Sequence, residues 1–166
     1  MANTLNFRAR FDLNIDYSRT DIVTNQTGII DKYTFNFDKT LTNGTGGGQA
    51  DILIHNQYNI STPLVLNLDS IEDSFGEIKD IDAIKCLIVE NLNTTDGALN
   101  ISIPSKGETY FLGANGLIFV WEENKEGIKI SESEQDSLEG NIILSPFTSN
   151  VLTNIFIVGS SMESSS

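Results

Sequence analysis

Cysteine is almost missing from this chain. Cys86 is the one copy in 166 residues, which excludes an internal disulfide and leaves stability to packing. It falls in the most apolar run and reads as a small buried hydrophobe. Histidine is equally scarce: His55 has no second His or Cys at ligand spacing and lies on the more polar parity of its segment. It reads as a surface residue, not as a metal ligand or base. Cationic residues are few, ten against 23 Asp and Glu. The net charge of −13 and pI near 4.2 repel phosphate backbones and anionic lipid, so nucleic-acid binding and membrane steering lack their driving force.

Long apolar runs are missing too. No stretch of about 18 apolar residues occurs, and MANTLNFRARFD at the start has no core for a signal peptide, so a soluble product made in a cytoplasm is expected. Sequons at Asn25, Asn43, Asn59, Asn93 and Asn100 carry no weight without a secretion signal. The run NGTGGG at 43–48 resembles a phosphate loop, but it lacks a Gly-Lys-Ser/Thr ending and a following helical pattern. A flexible joint is the better reading, since glycine is costly to order and easy to bend. Acids gather at Asp69, Glu72, Asp73, Glu77, Asp80 and Asp82. Their spacing does not match a calcium loop, and carboxylates in a loop do not make a rigid hydrolytic pair. A solvated loop is expected, with Phe75 plugging the end of the fold. No catalytic residue, cofactor site or metal site is read from the chain.

What is present is β-patterning. The organising stretch is IDAIKCLIVEN at 81–91, apolar on both parities, with Ala83, Leu87 and Val89 on one face and Ile84, Cys86 and Ile88 on the other. A strand of that kind wants cover on both sides and reads as interior. Residues 117–121, LIFVW, read the same way. Strict alternation opens the chain, with Leu5, Phe7, Ala9, Phe11, Leu13 and Ile15 against polar neighbours, and it returns at Tyr33, Phe35, Phe37 and Leu41. The two segments make a plausible antiparallel ribbon whose apolar face needs cover, from the domain's own second sheet or from a neighbouring subunit.

Further short strands follow at 51–60, 64–68, 98–103, 109–112, 128–130, 141–144 and 151–158. Residues 122–127 read as a charged hairpin tip and 132–139 as an acidic loop. At 166 residues one core, or one core with an extension, is expected to bury roughly two-thirds of the unfolded surface. The expected fold is all-β: an antiparallel, jelly-roll-like β-sandwich body at 49–160, an N-terminal β-ribbon or arm at 1–48 and a Ser-rich tail at 161–166.

The succession DSFG at 73–76, IKCLIVEN at 84–91 with its TTDG turn, NGLIFV at 115–120, GIKI at 127–130 and NIFIVGS at 154–160 resembles a family of small all-β virion proteins of tailed bacteriophages. These are packing and turn motifs, they cover roughly residues 50 to 160, and they carry over no catalytic residue. The resemblance implies a non-enzymatic structural protein of the particle, most concretely a capsid decoration or cement protein that stabilises the head. Its partners would be the major capsid protein or other virion proteins, and the chain would be a repeated, homo-oligomeric subunit located in the virion. Phe7, Phe11, Tyr33, Phe35 and Phe37 are the candidate assembly contacts. Alternatives are a tail- or head-fibre-associated protein, or a sandwich whose loops bind host glycan. A carboxylate-based hydrolase ranks last.

Overall fold

Wherever apolar residues alternate or run on both parities, the chain pairs into strands. The computed structural model describes residues 6–20, 27–104, 107–122, 128–129, 140–147 and 150–161, with the side chains at 11, 13–20, 27–34 and 129 outside that description. The expected acidic loop, the residues of the charged tip at 123–127 and the Ser-rich tail beyond Ser161 lie outside the described residues. The protein is all-β, and no α-helix occurs among the described residues. Two compact units are formed: one is Phe7–Thr40, and the other holds the chain from Leu41 on.

The smaller unit is built on β1 (Phe7–Thr20) and β2 (Thr27–Asn43), which are hydrogen-bonded neighbours. The end of β2 pairs in parallel with β3 (Gln49–Ala50), Thr42 with Gln49 and Asn43 with Ala50. Between them the glycine run closes into a loop instead of an open joint. Thr42 N–H donates to Gly48 O at 3.1 Å, Gly44 N–H to Ala50 O at 3.2 Å, and Gly46 N–H to the Gln49 side-chain oxygen at 2.9 Å.

The body places its strands in antiparallel sheets. One has the order β10 (Glu108–Leu112), β9 (Leu99–Ile103), β13 (Asn141–Pro146), β5 (Leu64–Asn67). The other runs β11 (Leu117–Trp121), β8 (Ala83–Asn91), β14 (Val151–Ser160), β4 (Ile52–Ile60), with β12 (Ile128–Lys129) also against β8. Successive strands pass repeatedly from one sheet to the other. Their facing side chains, among them Leu87, Ile157 and Ile54 from the second sheet and Ile101, Leu144 and Leu66 from the first, form one buried cluster, consistent with a β-sandwich.

β8 lies at the centre and carries a β-bulge. Val158 pairs with Cys86 but Gly159 pairs with Ile84, so Lys85 is the extra residue, and Ile128 also pairs with Ile84 across the other edge. A bulge inserts one residue and reverses which face the following side chains take. Ile84 therefore joins Leu87 and Val89 in the core, while Cys86 and Ile88 point the other way. This corrects the strict-alternation reading, which grouped Ile84 with Cys86 and Ile88. Gly159 is needed beside the bulge, because a Cβ there would lie 2.9 Å from Ile81 Cγ2 and 3.0 Å from Ala83 O.

Other expectations change for identifiable reasons. β11 stands at the end of its sheet's order, not in the interior: Ile118 and Val120 pack on the core, but all five residues keep some exposure. β11 and β12 are both antiparallel to β8, so they run in the same direction along one edge and are not the arms of a hairpin. Phe75 is 57% exposed and plugs nothing. Its loop is organised by Asp73, whose buried carboxylate accepts from Phe75 N–H at 2.8 Å and Glu77 N–H at 3.0 Å. The small ladder of β6 (Ile71–Glu72) with β7 (Ile78–Lys79) flanks that turn. At the far end of β8, buried Asn91 donates to Gly97 O and Gly113 O, each at 2.9 Å, tying two loops to the strand.

The faces of β8 can be separated by substitution. Leu87→Asp puts a charge into the core, which costs several kcal/mol, and it is expected to abolish the cooperative thermal transition followed by circular dichroism. Ile88→Asp, on the half-buried opposite face, is expected to keep a cooperative transition at lower Tm. Equal loss in both variants would contradict the assignment of Leu87 to the core face and Ile88 to the outer one.

Lys85 is buried at the bulge, and burial pushes its pKa down while the carboxylates of Asp82 and Glu122 pull it part of the way back. Between its folded pKa and the unfolded value of about 10.4, the folded chain binds fewer protons than the unfolded one. Lys85 is thus most unfavourable below that window, and stability improves as pH rises through it. Lys85→Met is expected to lose this pH dependence, so that the parent gains stability relative to the variant as pH rises from 7 towards 10. Calorimetric Tm values across that pH range check this, and a difference between the two that does not change with pH would refute it.

Candidate docking surfaces

The two-stranded unit divides its faces sharply. Arg8 Nε donates to Asp38 Oδ1 at 2.8 Å and its terminal nitrogen to Oδ2 at 2.5 Å, while Arg10 lies 3.5 Å from Asp12. These hydrogen bonds hold the Asp38 carboxyl below its ordinary pKa. Because successive residues alternate sides, a cross-strand Arg8–Asp38 pair fixes the even-numbered positions as one face and the odd-numbered ones as the other. The pair itself is well exposed and adds direction more than stability.

Of the sequence-predicted contacts, Phe7 and Phe37 are half-buried and Phe35 is 40% exposed. All three stand on the odd-numbered face with Ala9. Phe11 and Tyr33 lie within β1 and β2, and their side chains lie outside the described residues. The structure thus brings three of the five predicted residues together on one face.

A second surface was hidden in the sequence. Since Ile118 and Val120 face the core, Leu117, Phe119 and Trp121 face outwards, and the register extends this into rows across the sheet. One row is Phe119–Ile88–Phe156–His55, the next Trp121–Cys86–Val158–Leu53, the third Leu117–Glu90–Asn154–Gln57. Phe119 and Trp121 stack with centroids 6.3 Å apart, and His55 stacks on Phe156 at 3.8 Å with its plane tilted by 10°. Cys86 and Val158, mid-row, are buried, and burial pushes the Cys86 thiol up to about 12. In the polar row Gln57 donates to Asn154 at 3.1 Å and Asn154 to Glu90 at 3.0 Å, a relay that fixes both amides. The signal was available: in 117–121 both aromatics fall on one parity. His55 is exposed, as its polar parity suggested, but the ring stack on Phe156 was not legible.

Elsewhere the surface offers less. A shallow cleft of about 140 Å³, lined by residues from Tyr58 to Leu64, lies at the β4–β5 turn and is small beside the ~300–1,000 Å³ of ligand pockets. Asp80 has its pKa raised by burial and by neighbouring Asp69 and Asp82. Among the described residues no three His, Cys, Asp or Glu side chains cluster in a way that could hold a metal ion.

Comparison with family models, curated proteins and solved structures gives no match to this chain.

Proposed function

We propose that the protein is a non-enzymatic structural component of a bacteriophage virion, a capsid decoration or cement protein that stabilises the head. In this reading the body is a jelly-roll-like sandwich and residues 1–48 are an arm that docks on the major capsid protein or another virion protein. The observation that carries it is the amphipathic two-stranded unit: aromatic residues Phe7, Phe35 and Phe37 on one face, ion-paired residues on the other. A two-stranded ribbon is marginal in water by itself, and an aromatic face of this kind gains stability when a partner covers it. The packing and turn motifs at 73–76, 84–91, 115–120, 127–130 and 154–160, which resemble those of small virion proteins, give the reading its context. The acidic surface keeps free copies apart before assembly.

A second reading, a glycan-binding sandwich, draws on the outward rows of the five-stranded sheet. There Phe119 and Trp121 stand beside the fixed amides of Asn154 and Gln57, and aromatic rings with positioned polar groups suit a sugar's apolar face and hydroxyls. Glycan-array binding lost on Trp121→Ala would put this reading first.

The decoration reading is tested with Phe35→Ser/Phe37→Ser in the full chain. Each ring is worth roughly 2 kcal/mol on burial, so binding to phage particles that lack the protein is expected to fall by at least about 30-fold. The melting of the body, followed by circular dichroism, is expected to be unchanged. Unchanged cosedimentation with particles would overturn the assignment of the arm.

A further inference from the structure

We infer that the outward face of the four-stranded sheet is a self-association surface, by which the body of one copy meets the body of a second copy of this chain. The register places Thr109, Ser102, Ile143 and Val65 in one row across all four strands, and Phe111, Asn100 and Ser145 in the next. Phe147, whose N–H donates to Ala98 O at 2.9 Å, stands two residues beyond Ser145 on the same face, and its ring meets Phe111 edge-on at 5.5 Å. Phe111, Phe147 and Val65 are 66%, 54% and 49% exposed. Neither row contains an ionisable residue, in a chain where 20% of residues are charged.

Three features select a second copy as the occupant. Two molecules of net charge −13 repel, and they meet with least penalty where neither presents a charge. A cationic partner would instead be drawn to the carboxylates elsewhere. Secondly, a two-fold contact must be self-complementary. The hydroxyls of Ser102, Thr109 and Ser145 and the amide of Asn100 both donate and accept, so they can pair with their own copies as carboxylates cannot. Thirdly, the size fits a repeated contact. Four strands at ~4.8 Å spacing and about four residues of ~3.4 Å give a footprint of roughly 260 Å², well under the ~800 Å² per partner of a stable complex. Such a contact is weak between free copies and becomes effective when another attachment holds copies side by side. The inference concerns the body alone and does not depend on what residues 1–48 bind.

Sedimentation velocity of the full chain from about 10 µM to 1 mM, at low and high salt, tests this. The weight-average sedimentation coefficient is expected to rise with concentration, with Kd on the order of 0.1–1 mM. Association should strengthen as salt screens the mutual charge. Phe111→Asp and Phe147→Asp, at exposed positions where folding is retained, are each expected to weaken it at least about tenfold, while Phe35→Ser/Phe37→Ser leaves it intact. A monomer at every concentration and salt overturns the inference. So does association that survives both aspartate variants, or that disappears with the Phe35/Phe37 variant instead.

Discussion

The body depends on one strand being buried on both faces while the chain around it stays in register. β8 meets β11 and β12 along one edge and β14 along the other, so its side chains set the alignment of the whole five-stranded sheet. A slip of one residue would move Leu87 and Val89 out of the core. The bulge at Lys85 fixes that alignment locally, because only one register puts Ile84 opposite both Gly159 and Ile128. Gly159 makes room for the close approach, and Asn91 ties the far end of the strand to its loops. The same bulge makes a two-sided strand useful. It sends Ile84 inwards with Leu87 and Val89, and leaves Cys86 and Ile88 on the outward face beside Trp121 and Phe119.

The parts of this arrangement that are periodic were legible from the sequence. Alternation in residues 7–15 and 33–41, and in 99–103, identifies strands with one apolar face, and the all-β class follows from the turns between them. The bulge was not legible: a parity count cannot see an inserted residue, and Lys85 looks like an ordinary polar member of an alternating strand. Sheet order was equally hidden, since β11 and β8 have similar composition but one sits at an edge and the other inside. Phe75 failed as a plug because its turn is closed by Asp73 through backbone hydrogen bonds, which leaves the ring free to face solvent. Of the residues expected to make assembly contacts, those with described side chains share a face because Arg8 and Asp38 pin the strand pair. The aromatic rows of the sheet were missed because Phe119 and Trp121 come from one strand and Phe156 and His55 from two others.

The outer faces of the two sheets differ in a way that composition alone does not suggest. The five-stranded sheet carries stacked rings and a Glu90–Asn154–Gln57 relay, and its central residues are already buried. Residues held in that way present a rigid surface. The outward rows of the four-stranded sheet carry exposed rings among small hydroxyls and one amide, with no charge among their described residues. One face is thus suited to holding a shaped ligand or covering segment, the other to meeting a flat apolar surface.

Net charge and local charge act over different distances, which is how a strongly acidic chain can still be an assembling one. At physiological salt the screening length is about 8 Å. Carboxylates at the rim of a sheet some 15–20 Å across are therefore largely screened from their counterparts on a facing copy, and what two surfaces experience at contact is set by the side chains within the patch. The global −13 slows encounter and keeps free copies dispersed; neutral rows such as Phe111–Asn100–Ser145 then decide where contact is tolerated. Moving one carboxylate into such a row would change contact far more than adding several to the loops. By this reasoning the distribution of acids over the strands, more than their number, would govern self-association of the kind inferred above.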